Sequence, residues 1–233
     1  MRHTVGDTLY DITNCLDYAK CYNQSMPKRL FLASEAKHPV TLKQIDAFVG
    51  GYKDKRLVYI PTAGNGEAWG SWKAGGSMAA VQSLHVKLDI IELETYYQGD
   101  IISRIGRPDI LWMAGGMPGY LLYWLHRLNL IDHIKTLLDQ GTVYVGSSAG
   151  SMVCSNTQVV SATYLGEADP AAAYLPGLDL IDFEIYPHYD DSQFELIKSK
   201  WVKGELRLLK NGEAITVVGE TVETLGEERL ITK

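Results

Sequence analysis

The chain has 233 residues, 46% of them hydrophobic and 21% charged, which suits one large globular domain or two small ones with a substantial core. Its net charge of −6 and pI of about 5.5 speak against a nucleic-acid binder, which carries a basic face. Cys15, Cys21 and Cys154 form no CxxC pair and are odd in number, so neither a disulfide framework nor a structural zinc site is expected, and a reducing cytoplasm is the expected setting.

Residues 1–27 are polar and aromatic and are read as an N-terminal extension to one α/β domain spanning 28–233. The stretch MRHTVGDTLYDITNCLDYAK lacks the apolar run of a signal peptide. No apolar run approaches the roughly 18 residues of a membrane span. From Arg29 the pattern alternates. RLFLAS is a short apolar run suited to a strand buried on both faces. VTLKQIDAFVGGY is amphipathic and stops at Gly50-Gly51, as a helix does. RLVYIPTAG reads as a strand, SWKAGGSMAAVQSLHV as a helix weakened by Gly75 and Gly76, and KLDIIELE as a strand. A short helix around Asp100–Arg104 precedes the strand DILWM, which runs into Ala114-Gly115-Gly116. YLLYWLHRLNLIDHIKTLLDQG holds one or two helices, TVYVGSS is a strand, and AGSMVC opens a helix. Strands alternating with helices predict a mostly parallel sheet with helices on both faces, a three-layer sandwich. Beyond Ser155 the pattern changes. FEIYPHYD reads as strand and loop, SQFELIKSKWV as a helix, and ELRLLKNGEAITVVGE as a hairpin turning at Asn211-Gly212, with short antiparallel strands to the end.

The sharpest motif is Gly146-Ser147-Ser148-Ala149-Gly150, a G-x-S-x-G run between a strand and a helix. Such a turn lifts its central serine to the C-terminal edge of the sheet, and the N–H groups that follow favour a developing anion. The run alone also reads as a plain glycine- and serine-rich turn; its place between strand and helix favours a nucleophile. A serine nucleophile needs a base. His188, in Tyr186-Pro187-His188-Tyr189 after a strand, is the first candidate, and His38, just past the first strand, is the second. His126 and His133 fall in helical stretches, His85 near a helix end and His3 in the extension. Gly115 and Gly116 end a strand where a backbone N–H could approach a ligand, so Gly115 and Ala149 are the candidate oxyanion donors. No metal-ligand cluster and no GxGxxG after the first strand are visible, so neither a metal nor another cofactor is expected.

Taken together, GSSAG, the downstream PHY, and AGG before YLLYWLHR resemble the dipeptidase E (aspartyl dipeptidase) family of serine peptidases, over about Lys28 to Gly219. The resemblance implies a class I glutamine amidotransferase-like fold, with antiparallel strands near the C-terminus, and a small peptide as substrate. It implies Ser148 as acylated nucleophile, His188 as general base, and an acid between them. Glu167, 19 residues after Ser148 (167−148) and 21 before His188 (188−167), is the first choice and Asp169 the second; matched from the Asp-Pro pair, the position falls on Tyr164. Two departures stand out. Met117-Pro118 replaces the Asn-Thr that often follows the family's glycines. Where aspartyl dipeptidases carry basic residues beyond the histidine, this chain has Tyr189-Asp190-Asp191-Ser192-Gln193, with Lys198 and Lys200 on the next helix. The expectation is a serine-type peptidase, a monomer or homodimer, with no nucleic-acid or membrane partner. A different acyl hydrolase such as an esterase, and a catalytically weak binding module, stay open.

Overall fold

The computed structural model describes residues 26–67, 72–74, 76–166 and 169–233. Residues 1–25 of the expected extension and Glu167 lie outside the described residues. A seven-stranded sheet runs in the order β3-β2-β4-β5-β1-β8-β9, formed by β1 (Arg29–Ala33), β2 (Arg56–Ile60), β3 (Lys87–Ile90), β4 (Ile110–Met113), β5 (Val143–Ser147), β8 (Ala214–Val218) and β9 (Thr221–Leu225). The pairs from β3 through β1 are parallel, and β8 and β9 close one side antiparallel. A smaller sheet holds β6 (Glu184–Tyr186) beside β7 (Glu205–Leu208), with β10 (Leu230–Thr232) antiparallel on its far side.

Strand alternation feeds two cores. On β1, Leu30 and Leu32 enter one apolar cluster with Leu121, Leu125 and Leu138, while Phe31 and Ala33 enter the other with Ile45 and Val49. The helices supplying those partners are α4 (Pro118–Arg127) and α5 (Ile131–Asp139) on one face and α1 (Pro39–Val49) on the other; α2 (Ser77–Gln82) and α3 (Asp100–Ile105) add to one face each. Both faces of the parallel strands are therefore covered, which is why they read as continuous apolar runs. Gly50, at φ 73, caps α1, as the Gly50-Gly51 stop predicts. The helix expected over SWKAGGSMAAVQSLHV is shorter than its pattern: α2 starts only at Ser77, after a 3-10 turn at Trp72–Ala74.

The predicted hairpin at Asn211-Gly212 is corrected by the pairing. β7 lies in the small sheet and β8 pairs with β1 in the large one, so the turn bridges two sheets rather than joining partners. The true hairpin is β8 with β9. A third core of Tyr186, Trp201, Leu206, Leu208 and Ile231 packs the small sheet against Met152 and Val160. These two come from α6 (Ala149–Met152) and α7 (Val159–Thr163), while α8 (Phe194–Lys200) adds Ile197. Register then sets the site. Ala33 is level with Ser147 on one side and Ala214 on the other, and Met113 is level with Gly146. The segments after β1, β4 and β5 and the turn before β8 thus meet at one edge. Among the described residues no helix is long and apolar enough to cross a membrane.

Candidate active site

Ser148 sits between β5 and α6 with φ 49 and ψ −111, a backbone state that costs a non-glycine residue about 1–3 kcal/mol. The surroundings over-determine it. Ser148 N–H donates to Ala33 O at 3.0 Å, and Ser151 Oγ donates to the same carbonyl at 2.8 Å. Ser147 Oγ accepts from Ala36 N–H at 3.0 Å, and Tyr144 OH donates to Gly150 O at 2.6 Å. The motif glycines are there for closeness: a Cβ at Gly150 would stand 2.2 Å from Met113 O, and one at Gly146 would stand 2.6 Å from Gly150 O.

His188 comes to Ser148 from the small sheet, just past β6. Its Nε2 is 3.0 Å from Ser148 Oγ. Its own φ is 55, and it is held at both ends of its backbone. His188 N–H donates to Ser34 Oγ at 2.8 Å, and the next residue, Tyr189, donates N–H to Leu209 O at 3.0 Å. On the other ring nitrogen, Nδ1 lies 2.6 Å from Asn211 Oδ1. An amide oxygen only accepts, so Nδ1 carries the proton and Nε2 is left to accept from the serine hydroxyl. Ser34 Oγ completes a ring by donating to the same Asn211 oxygen at 3.3 Å. Asn211 is the residue the sequence reading missed. Only its place in a turn was noticed, and nothing local to KNGE signals contact with a histidine 23 residues earlier.

The remaining candidates fall as follows. Gly115 is beside Ser148, its Cβ direction 3.3 Å from Ser148 Cβ. Ala149 is the first residue of α6, so its N–H has no acceptor within the helix. Gly116, at φ 135, lets the 3-10 turn Thr62–Gly66 close against the site; a Cβ there would stand 2.3 Å from Ala63 C. Asp169 takes Gly119 N–H at 2.7 Å, capping the start of α4. His38 instead caps α1, its Nδ1 accepting from Val40 N–H at 3.3 Å. Among the acidic residues after His188, Asp190 caps its own turn by accepting from Ser192 N–H, and Asp191 pairs with Lys210 at 2.6 Å. The Ser192 hydroxyl, then its N–H, hold the Asp190 carboxyl below its usual range, and the Lys210 ammonium does the same for Asp191. A cleft of about 300 Å³ opens over Ser148 and His188, with Glu35, Lys37 and Tyr164 among its walls. Among the described residues no His, Cys, Asp and Glu group is arranged to hold a metal ion.

A parallel sheet that presents a strained serine to a histidine at its C-terminal edge is the framework of an α/β hydrolytic enzyme. Comparison with known proteins narrows the class. The chain belongs to peptidase family S51, whose family model matches residues 30–225, and it is a peptidase by that membership. It is 28% identical to an uncharacterized peptidase of Listeria monocytogenes over 84% of this chain and 98% of the relative. It is 23% identical to peptidase E of Actinobacillus pleuropneumoniae, covering 82% and 83%. The solved structure of a candidate peptidase E protein from Listeria monocytogenes EGD-e superposes with a TM-score of 0.70 at 26% identity, over 85% of this chain and 98% of the other.

Proposed function

We propose that this peptidase is of the serine type, with Ser148 as nucleophile, His188 as general base and Asn211 as the group that orients the imidazole. The observation that carries the reading is the 3.0 Å contact between His188 Nε2 and Ser148 Oγ, with the opposite ring nitrogen tied to Asn211. In the first half-reaction Ser148 Oγ attacks the scissile carbonyl while its proton passes to Nε2. The oxyanion is stabilised by the N–H groups of Gly115 and Ala149. The imidazolium returns the proton to the leaving amine as the C–N bond breaks. Water then adds to the acyl-serine with His188 again taking a proton, and collapse releases the acid and restores Ser148.

Asn211 replaces charge with geometry. Its oxygen fixes the tautomer, as an acid does, but stabilises the imidazolium less, because a neutral acceptor forms a weaker hydrogen bond than a carboxylate. The substrate is a small peptide: the cleft is compact and carries both an ammonium, Lys37, and a carboxylate, Glu35, 3.3 Å apart. Exposed or half-exposed charges of this kind, three-donor ammonium included, remain available to peptide termini. The reading places the enzyme in the cytoplasm, on an odd number of cysteines with no CxxC pair. Hydrolysis of a dipeptide panel by the wild type and by Ser148→Ala tests the proposal; retained hydrolysis in the variant contradicts it, and a panel of esters cleaved in preference to peptides would make it an esterase.

A further inference from the structure

Ser34 follows β1 directly and is wholly buried. Its neighbour Ala33 holds the turn at Ser148 through its carbonyl, which accepts from Ser148 N–H and Ser151 Oγ. Ser34 reaches instead to the other half of the site. Its N–H donates to Glu213 O at 3.1 Å, two residues past Asn211, which ties the end of β1 to that turn. Its Oγ accepts from His188 N–H at 2.8 Å and donates to Asn211 Oδ1 at 3.3 Å. Among the described residues, the hydroxyl proton of Ser34 has no other acceptor. One buried side chain therefore touches both the backbone of the base and the group that orients its ring.

A side-chain amide is nearly symmetric in shape and opposite in chemistry at its two ends. With Oδ1 toward the imidazole, Nδ1 carries the ring proton and Nε2 is free to accept from Ser148. With the amide turned over, Nδ2 would donate to Nδ1, the ring proton would sit on Nε2, and the imidazole could take nothing from the serine. Asn211 is exposed, so water satisfies whichever amide atom faces outward. The neutral ring of His188 sets no preference either, since it donates at one nitrogen and accepts at the other. Ser34 breaks the tie. In the orientation present its O–H reaches an acceptor, whereas the reversed amide would set an N–H against it and leave a buried hydroxyl proton without a partner. We infer that Ser34 is a positioning residue that locks the Asn211 amide with its oxygen toward His188, and so selects the imidazole tautomer able to act as a base. This rests on the reading of Ser148 as nucleophile and His188 as its base.

The test measures the rate of fluorophosphonate labelling of Ser148 in the wild type, Ser34→Ala, Asn211→Asp and the double variant. Heteronuclear nitrogen NMR of the His188 ring, taken above its titration range, reads the tautomer. A carboxylate accepts at both oxygens and has no wrong face, so in the Asn211→Asp background the lock has nothing to select. Ser34→Ala is expected to slow labelling about 10-fold in the wild-type background and about 2-fold or less in the Asn211→Asp background. In the wild-type background it should also move the ring proton from Nδ1 toward Nε2. Ser34→Thr keeps the hydroxyl and is expected to recover the Nδ1–H tautomer and most of the rate. Equal slowing in both backgrounds, a tautomer unmoved by Ser34→Ala, or the same loss with threonine as with alanine overturns the inference and leaves Ser34 as a structural tie for His188 N–H. Absence of labelling in the folded wild type overturns the serine-peptidase reading beneath it.

Discussion

The two halves of the site are built by opposite means. Ser148 belongs to a stretch in which neighbours in sequence are neighbours in space: Gly146, Ser147, Gly150 and Ser151 clamp the turn against Ala33 and Met113. The His188–Asn211 pair belongs to the small sheet and to the turn that leaves it, and its members meet only because β7 ends in one sheet and β8 begins in the other. The Ser148 side is largely buried, whereas His188 and Asn211 are exposed. The contrast teaches where each kind of mutation acts. Changes at the elbow are expected to strike backbone geometry and stability, and changes at the pair, on the proposed serine-type reading, to strike proton transfer with little effect on the fold.

The largest effect is expected from Ser148→Ala or His188→Ala, each lowering kcat on a cleaved dipeptide by about 10⁴- to 10⁶-fold. Their double variant should be no worse than either single one, because the two act as a unit; additive losses in steady-state kinetics would break that description. Asn211→Ala is expected to cost roughly 10²- to 10³-fold in kcat, less than the roughly 10⁴-fold attached to a charged orienting residue. Its thermal midpoint should stay close to wild type, since the lost contact is exposed; a large drop would mean the turn is a structural tie. Asn211→Asp sharpens the comparison further. A carboxylate beside Nδ1 favours the imidazolium, so the acidic limb of the kcat/KM profile should move to higher pH. An unmoved limb would show that Asn211 does not face the working imidazole.

Smaller effects are expected at Glu184, which anchors α7 by accepting from Val160 N–H at 2.7 Å and Val159 N–H at 3.1 Å. Burial raises its carboxyl above the usual range against the lowering effect of these hydrogen bonds and that from Thr157. The folded protein therefore keeps this proton to higher pH than the unfolded chain. The group's contribution is fully present below the ordinary glutamate pKa and is lost as pH rises through the raised one. Denaturant titrations should show Glu184→Gln flattening that decline, and an identical pH dependence in the variant would contradict the assignment.

What the sequence made legible follows the same division. Apolar runs between turn residues gave the parallel strands, and GSSAG gave the nucleophile's turn, because both are written in consecutive residues. His188 is the sequence's choice because a serine nucleophile calls for a base and PHY follows a strand, and its ring lies 3.0 Å from Ser148 Oγ. Asn211 was not found, because KNGE has the composition of an ordinary hairpin turn and only the pairing of β8 with β1 carries it to the histidine. The same pairing explains why the hairpin reading failed: the alternation in ELRL and AITVV specifies buried strands, but not that their partners lie in different sheets. Asp169 was weighed as a catalytic acid on spacing alone, and spacing does not reveal the open N–H at the start of α4 that it caps.

The central claim is that Ser148, His188 and Asn211 act as one unit, and the rate of covalent modification of Ser148 measures it directly. A fluorophosphonate would be reacted with wild type, Ser148→Ala, His188→Ala and Asn211→Ala, and the adduct located by peptide mass spectrometry. The account predicts an adduct on Ser148 in the wild type, none in Ser148→Ala, a rate near the uncatalysed one in His188→Ala, and an intermediate rate in Asn211→Ala. An adduct on another residue, or a Ser148 rate indifferent to His188, would contradict it.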